Sequence, residues 1–192
     1  MRQHTQRSKL MAGDLAPQFT AADVFGETFN LADHADEFVM LAFLRYAGCP
    51  WCNLTIHRLS LEHAMLKKQG CTVVAFVQSV AENIKKNIYD RHAVRPPFPI
   101  IGDQKRLHYD QYGVRPSLKA AAASIIEVPH WLRSVRKHGF KQTEVDGSLL
   151  MVPAVFLIAP RTQKIVKAEY GASFYDHQTF TGIYEPLIFD RV

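Results

Sequence analysis

The chain has 192 residues, 47% of them hydrophobic, enough for one well-buried core and short for two. Its 23 Lys and Arg against 18 Asp and Glu leave a net charge of +5. The basic residues are scattered, and Lys67, Lys68, Lys85, Lys86, Arg133, Arg136 and Lys137 read as solvated helix faces with no nucleic-acid motif beside them. Three cysteines are too few, and odd in number, for a stapled secreted domain. No apolar run approaches the ~18 residues of a membrane span. The basic start of the chain lacks the apolar stretch of ~7–15 residues that a secretory signal needs. A cytoplasmic protein that binds neither nucleic acid nor membrane is the expectation.

Residues 1–12 read as a flexible basic arm ahead of a single domain over 13–192. Phe25-Gly26 separates two short apolar-containing runs, the pattern of a hairpin. Phe38 to Leu44 is a continuous apolar run, which predicts a central strand covered on both faces. Ile56, Leu59, Met65 and Leu66 then fall near helical spacing, and Gly70 stops the helix. Cys71 to Val77 is a second buried strand, so the unit is strand, helix, strand, and a parallel pairing is expected to be right-handed. Ser79 to about Asp90 has helical spacing with Lys85 and Lys86 outward. Beyond the break Arg95-Pro96-Pro97-Phe98-Pro99, Ile100-Ile101-Gly102-Asp103 reads as a short strand and turn, and a helical stretch reaches Tyr112-Gly113. The polar region over about 114–149 reads as a mid-chain helical insertion, broken by Pro116 and Pro129. Val155 to Ala159 and Lys164 to Tyr170 flank a polar turn and predict an antiparallel pair, with a last helix from Asp176 to Leu187. The fold class is α/β, a thioredoxin-like three-layer sandwich with an N-terminal β-hairpin.

The chemistry concentrates in Gly48-Cys49-Pro50-Trp51-Cys52, directly after the first central strand. A thiol at a strand-to-helix junction meets free N–H groups and the positive end of the helix dipole, which favour thiolate. Pro50 in the first turn loses no intrahelical hydrogen bond. Cys52, one turn on, is close enough to Cys49 for reversible disulfide formation. Cys49 is expected at the helix start with an accessible sulfur, which makes it the attacking thiol and Cys52 the resolving one. Arg45 supplies a charge that would stabilise a nearby thiolate, the competing reading being a solvated strand end. Trp51 is a candidate docking aromatic, or one partly buried under the insertion. A zinc site would need two further ligands, for which His57 and His63 are the nearest residues, and neither lies one turn from Cys52 on its face. No metal or cofactor is expected. Cys71 reads as a small buried hydrophobe.

Several stretches in order resemble the peroxiredoxin-like proteins of the alkyl hydroperoxide reductase and thiol-specific antioxidant superfamily. Gly13-Asp14-Leu15-Ala16-Pro17-Gln18-Phe19 is similar to the family's opening, and Phe29-Asn30-Leu31-Ala32-Asp33 to the segment after it. Leu41 to Cys52 resembles the active-site strand and turn. Phe98 to Asp103 with Tyr109 and Tyr112-Gly113-Val114 resembles the middle. Val152 to Ile158, Tyr170-Gly171 and Asp176-His177 resemble the end. The resemblance implies a cis peptide at Val152-Pro153, beside the cysteines, that presents the backbone of Val152 to the substrate. The family's Pro-x-x-x-Thr/Ser-x-x-Cys is not reproduced. Aligned on Cys52, Arg45 and Cys49 take the Pro and Thr places, and aligned on Cys49, Ala42 and Tyr46 do.

The expected function is a thiol-dependent oxidoreductase that cycles Cys49 and Cys52 between dithiol and disulfide to reduce peroxides or disulfides. Its reductant would be of the thioredoxin or glutathione type, and a homodimer is left open. The alternative is a non-catalytic thioredoxin-fold module that binds a partner protein.

Overall fold

The structure is a computed structural model that describes residues 8–120, 122–124 and 139–173. Residues 1–7 of the expected arm, part of the expected insertion and the expected last helix with Asp176 and His177 lie outside the described residues. Lys9 lies over the ring of Tyr170, and the Leu10 N–H donates to the Tyr170 hydroxyl at 2.8 Å.

The hairpin is present: β1 (Thr20–Ala22) pairs antiparallel with β2 (Thr28–Asn30), and a short 3-10 turn (Leu31–His34) follows. The continuous apolar run forms β3 (Phe38–Phe43), in which Val39 to Phe43 are wholly buried. Helix α1 (Pro50–Lys68) crosses to β4 (Cys71–Val77), which pairs parallel with β3. Lys67 and Lys68 complement the dipole in the last turn of α1, and Gly70 beyond it takes φ of 69°, open to glycine without cost. Helix α2 (Ala81–Ile84) continues into a π turn (Lys85–Tyr89). Strand β5 (Ile100–Gly102), helix α3 (Leu107–Gln111), β6 (Ala154–Ile158) and β7 (Ile165–Tyr170) complete the order.

The five-stranded sheet runs β5-β4-β3-β6-β7, with β6 antiparallel to β3 and to β7. β3 is the middle strand, as its uninterrupted apolar composition requires. Alternate side chains leave the sheet on opposite faces, and each face builds its own core. Met40, Ala42, Val73, Ala75, Val155 and Leu157 meet Leu54, Ile56, Leu59 and Leu66 of α1 and Ile84 of α2. Leu41, Phe43, Val74, Phe76 and Phe156 meet Tyr109 of α3 and, from the hairpin side, Phe19 and Phe29. Each Val, Leu or Phe so enclosed contributes about 1.5–3 kcal/mol. Three layers result, as the sequence predicts. Met65, read as part of the apolar face of α1, is instead 44% exposed, because the helix packs through Ile56, Leu59 and Leu66.

Both central strands are tied at their carboxyl ends by one phenol. The Tyr109 hydroxyl lies between the carbonyl oxygens of Leu44 and, at 2.9 Å, Phe76, which share its one proton. The chain that leaves β3 toward the cysteines starts from this fixed point.

Candidate dithiol site

Beyond β3 the backbone stays paired through Arg45, whose carbonyl accepts from Gln78 N–H at 2.8 Å. The turn Tyr46-Ala47-Gly48-Cys49 then closes with Cys49 N–H on the Tyr46 carbonyl at 3.1 Å. The Ala47 N–H donates to Ser79 Oγ at 2.8 Å. Cys49 is the N-cap of α1 in extended backbone, with Pro50 as the first helical residue. This is the strand-to-helix placement that the spacing and Pro50 predict.

The two thiols are unequal. Burial pushes the Cys49 thiol up, but the hydrogen bond from Cys52 and the Arg45 charge outweigh it, with help from the N–H groups of Cys52 and Trp51, and bring its pKa to about 7. Those N–H groups favour the thiolate without closing a cap hydrogen bond. Cys52 is driven well above the usual thiol range, first by burial and then by donating to Cys49. The Arg45 guanidinium lies 4.0 Å from Cys49 Sγ, and the Arg45 backbone N–H donates to Cys52 Sγ at 3.3 Å. One residue thus addresses both sulfurs. All three cysteines are free thiols, and burial holds Cys71, at the start of β4, up to about 12.

Behind the turn, Asn53 in the first turns of α1 is wholly buried. Its amide nitrogen donates to the carbonyls of Ala47 at 2.7 Å and Cys49 at 3.0 Å. Its oxygen faces His92 Nε2 at 2.8 Å. His92 is itself buried against Phe140 and near His57.

In front of the turn runs the segment 140–150. The Tyr46 hydroxyl meets Gln142 Oε1 at 3.1 Å, and the Thr143 N–H donates to the Gly48 carbonyl at 3.1 Å. A Cβ at Gly48 would stand 2.2 Å from the Glu144 carbonyl, so only glycine permits this approach. Arg45 Nη2 donates to the Leu149 carbonyl at 2.6 Å. Tyr46, pushed up to about 12 mainly by burial and then by Cys49, stays a neutral phenol.

Of the residues expected at the site, Cys49, Cys52 and Arg45 come together. Arg45 does not end in solvent; it is 6% exposed beside the sulfurs. Cys49 is not accessible as expected but 1% exposed, because the segment 140–150 returns across the turn. Trp51 is not an exposed docking aromatic; it is 4% exposed and belongs to the core on the α1 face. Val152 and Pro153 precede β6, whose Ala154 pairs with Phe43, so they lie at the cysteine end of the sheet. Their peptide is trans, not cis, the form that even an X–Pro bond favours by about 0.5–1 kcal/mol. His57 and His63 gather no metal site, since no group of three or more candidate ligands occurs among the described residues. No helix among the described residues is long and apolar enough to cross a membrane.

Sequence reasoning missed Asn53, His92, Ser79 and the 140–150 segment as parts of the site. A polar Asn in the apolar first turns of α1 was the one available signal.

Comparison with known proteins agrees with this geometry. Thiol-disulfide oxidoreductase ResA of Halalkalibacterium halodurans is 30% identical over 112 residues, 57% of this chain and 61% of that protein. Peroxiredoxin Bcp of Escherichia coli K12 is 29% identical over 105 residues, 55% of this chain and 65% of that protein. The matches therefore span less than two thirds of either relative. Among solved structures, peroxidoxin BcpB of Mycobacterium tuberculosis superposes with a TM-score of 0.67 at 16% identity, covering 95% of this chain and 99% of that one. Thiol peroxidase of Chromobacterium violaceum gives 0.64 at 13% identity, covering 96% and 90%. The fold is the thioredoxin-like α/β sandwich. The AhpC/TSA family model matches residues 12–168, and the chain belongs to the AhpC/TSA family.

Proposed function

We propose that the protein is a thiol-dependent oxidoreductase in which Cys49 is the attacking thiol and Cys52 the resolving one. The observation that carries this reading is the placement of the two thiols: Cys49 caps α1 with the Arg45 guanidinium 4.0 Å from its Sγ, and Cys52 is buried one turn on, which holds Cys49 down to about 7 and Cys52 well up. At neutral pH about half of the Cys49 sulfur is thiolate, while Cys52 holds its proton. The thiolate attacks a peroxide oxygen, leaving Cys49 as sulfenic acid and releasing an alcohol or water. Cys52 then displaces water from the sulfenic acid to form the Cys49–Cys52 disulfide. With a disulfide substrate, Cys49 first forms a mixed disulfide, and Cys52 releases the second thiol. A dithiol or glutathione-type reductant returns both electrons. Arg45 acts by stabilising the Cys49 thiolate, and Val152-Pro153 flanks the substrate's approach. Three cysteines, too few for a disulfide framework, fit a reducing compartment, the cytoplasm.

The test treats reduced protein with stoichiometric hydrogen peroxide and, separately, a small disulfide, with thiol loss followed by mass spectrometry. C49S should lose fast reaction with both oxidants, while C52S should stop at sulfenic acid or mixed disulfide on Cys49. The reverse pattern would exchange the roles, and no fast reaction in the wild type would end the redox reading.

A further inference from the structure

The dithiol turn is covered by a segment that is held on both sides by named polar contacts. Asp146 is its firmest point. Its Oδ1 accepts from Ser79 Oγ at 2.6 Å, and its Oδ2 accepts from Asn83 Nδ2 at 2.8 Å and Val80 N–H at 3.3 Å. A hydroxyl has one proton, which Ser79 gives to Asp146, and its lone pairs then receive the Ala47 N–H. The carboxylate is thereby linked through one atom to the turn that carries Cys49. On either side, Thr143 Oγ1 meets Asn87 Oδ1 at 2.6 Å, and Ser148 N–H donates to Gln78 Oε1 at 3.1 Å. Gly147 packs so closely that a Cβ would stand 2.7 Å from the Gln78 carbonyl and 3.0 Å from Tyr46 Cβ.

Beyond Phe140, which is anchored in the core on the α1 face, this cover is polar and discontinuous rather than a continuous apolar lid. Glu144 and Val145 between the contacts are exposed, and Leu149 is 55% exposed while its carbonyl holds Arg45. Segments fixed mainly by a few polar bonds open at lower cost than packed core elements. Small breathing motions suffice for a solute of peroxide size. A bulky reagent must displace the whole segment, and with it the Asp146 contacts.

We propose that residues 140–150 form a size gate over the dithiol, latched by Asp146, which admits small solutes to Cys49 and excludes bulky disulfides and protein thiols until the latch is released. The proposal rests on the reading of Cys49 as the reactive thiol. It makes Asp146 a specificity-determining residue that touches neither sulfur. It also predicts that the disulfide form reaches a protein reductant only with this segment displaced.

The test compares the rate at which Cys49 of the reduced full chain is alkylated by iodoacetamide and by fluorescein maleimide, read by peptide mass. The variants are D146A, which removes the latch, and G147A, whose methyl group pushes the segment off the Gln78 backbone. Circular dichroism confirms the fold. The ratio of bulky to small reagent should rise about tenfold or more in both, because local opening becomes the easier route. A ratio unchanged in both overturns the gate. If either variant unfolds, the other and Q78A, which frees Ser148, carry the same comparison. The redox reading fails separately: a raised ratio in D146A with no reaction of that variant toward peroxide or disulfide would leave the gate standing and remove the chemistry.

Discussion

His92 Nε2 lies 2.8 Å from Asn53 Oδ1, and that contact fixes which histidine nitrogen carries the proton. The Asn53 amide nitrogen is committed to the Ala47 and Cys49 carbonyls, so its oxygen faces the ring and Nε2 must donate. The histidine supports the cysteine turn as a neutral group.

Its protonation should therefore weaken the fold in acid. Burial, then His57 and Arg91, lower the His92 pKa to about 4, against ~6.5 in an unfolded chain. Between those values the unfolded chain binds the proton and the folded one does not. Stability is then full above ~6.5 and declines as pH falls toward 4, by about 1–3 kcal/mol. Urea denaturation at pH 7 and pH 4.5 measures this. H92Q, which keeps a donor for Asn53 without the titration, should flatten the dependence; an unchanged slope in H92Q would contradict the assignment.

Reactivity of Cys49 should rise with a midpoint at about 7 as pH increases, followed by iodoacetamide alkylation. Replacing Arg45 with Met removes the charge 4.0 Å from the sulfur and should move the midpoint up by about one unit, slowing reaction at pH 6 several-fold. A midpoint that stays in place in R45M would mean that the charge does not reach the thiolate.

Asn53→Ala leaves the buried Ala47 carbonyl and the His92 imidazole without their partner, and the Cys49 carbonyl with only the backbone N–H of residue 53. The expected loss is about 2–3 kcal/mol in urea denaturation. Because the same amide holds Cys49, the alkylation midpoint should rise as well. Loss of stability with an unmoved midpoint would confine Asn53 to a packing role.

Tyr109→Phe keeps the ring among Phe43 and Phe76 and removes only the hydroxyl shared by Leu44 and Phe76. The cost should be about 1–3 kcal/mol, chiefly the penalty of the unsatisfied Leu44 carbonyl, since the Phe76 carbonyl still accepts from the Leu44 N–H at 2.9 Å. Hydrogen exchange should quicken first at Leu44 and Gln78, at the carboxyl ends of β3 and β4. Uniform quickening over the whole sheet would argue against a local tie.

The local features of this site were legible in the sequence. The uninterrupted apolar run identified β3 as central, and Cys49 before Pro50 identified a helix start, since both depend on neighbours along the chain. The hairpin around Gly26 and the β6–β7 pair were legible for the same reason. What escaped was long-range. Arg45 meets Leu149 and Tyr46 meets Gln142 across about a hundred residues, and no periodicity reports which distant segment returns over a turn. Hence Cys49 and Trp51 were expected nearer to solvent than they are. Asn53 and His92 form their pair across the fold, where each alone reads as an ordinary polar residue.

The pairing of Phe43 with Ala154 and Ala42 with Val155 also sets how this chain tolerates changes in length. Val155 and Leu157 serve the α1 face, while Ala154, Phe156 and Ile158 serve the other. A slip of one residue would exchange the two sets and put Phe156 where the α1 core has room for Val155. Met151 is pinned at the same time, by its antiparallel bridge to Pro116. Insertions and deletions are thus barred from the two residues, Val152 and Pro153, between Met151 and the start of β6, where any change of length would shift one anchor against the other.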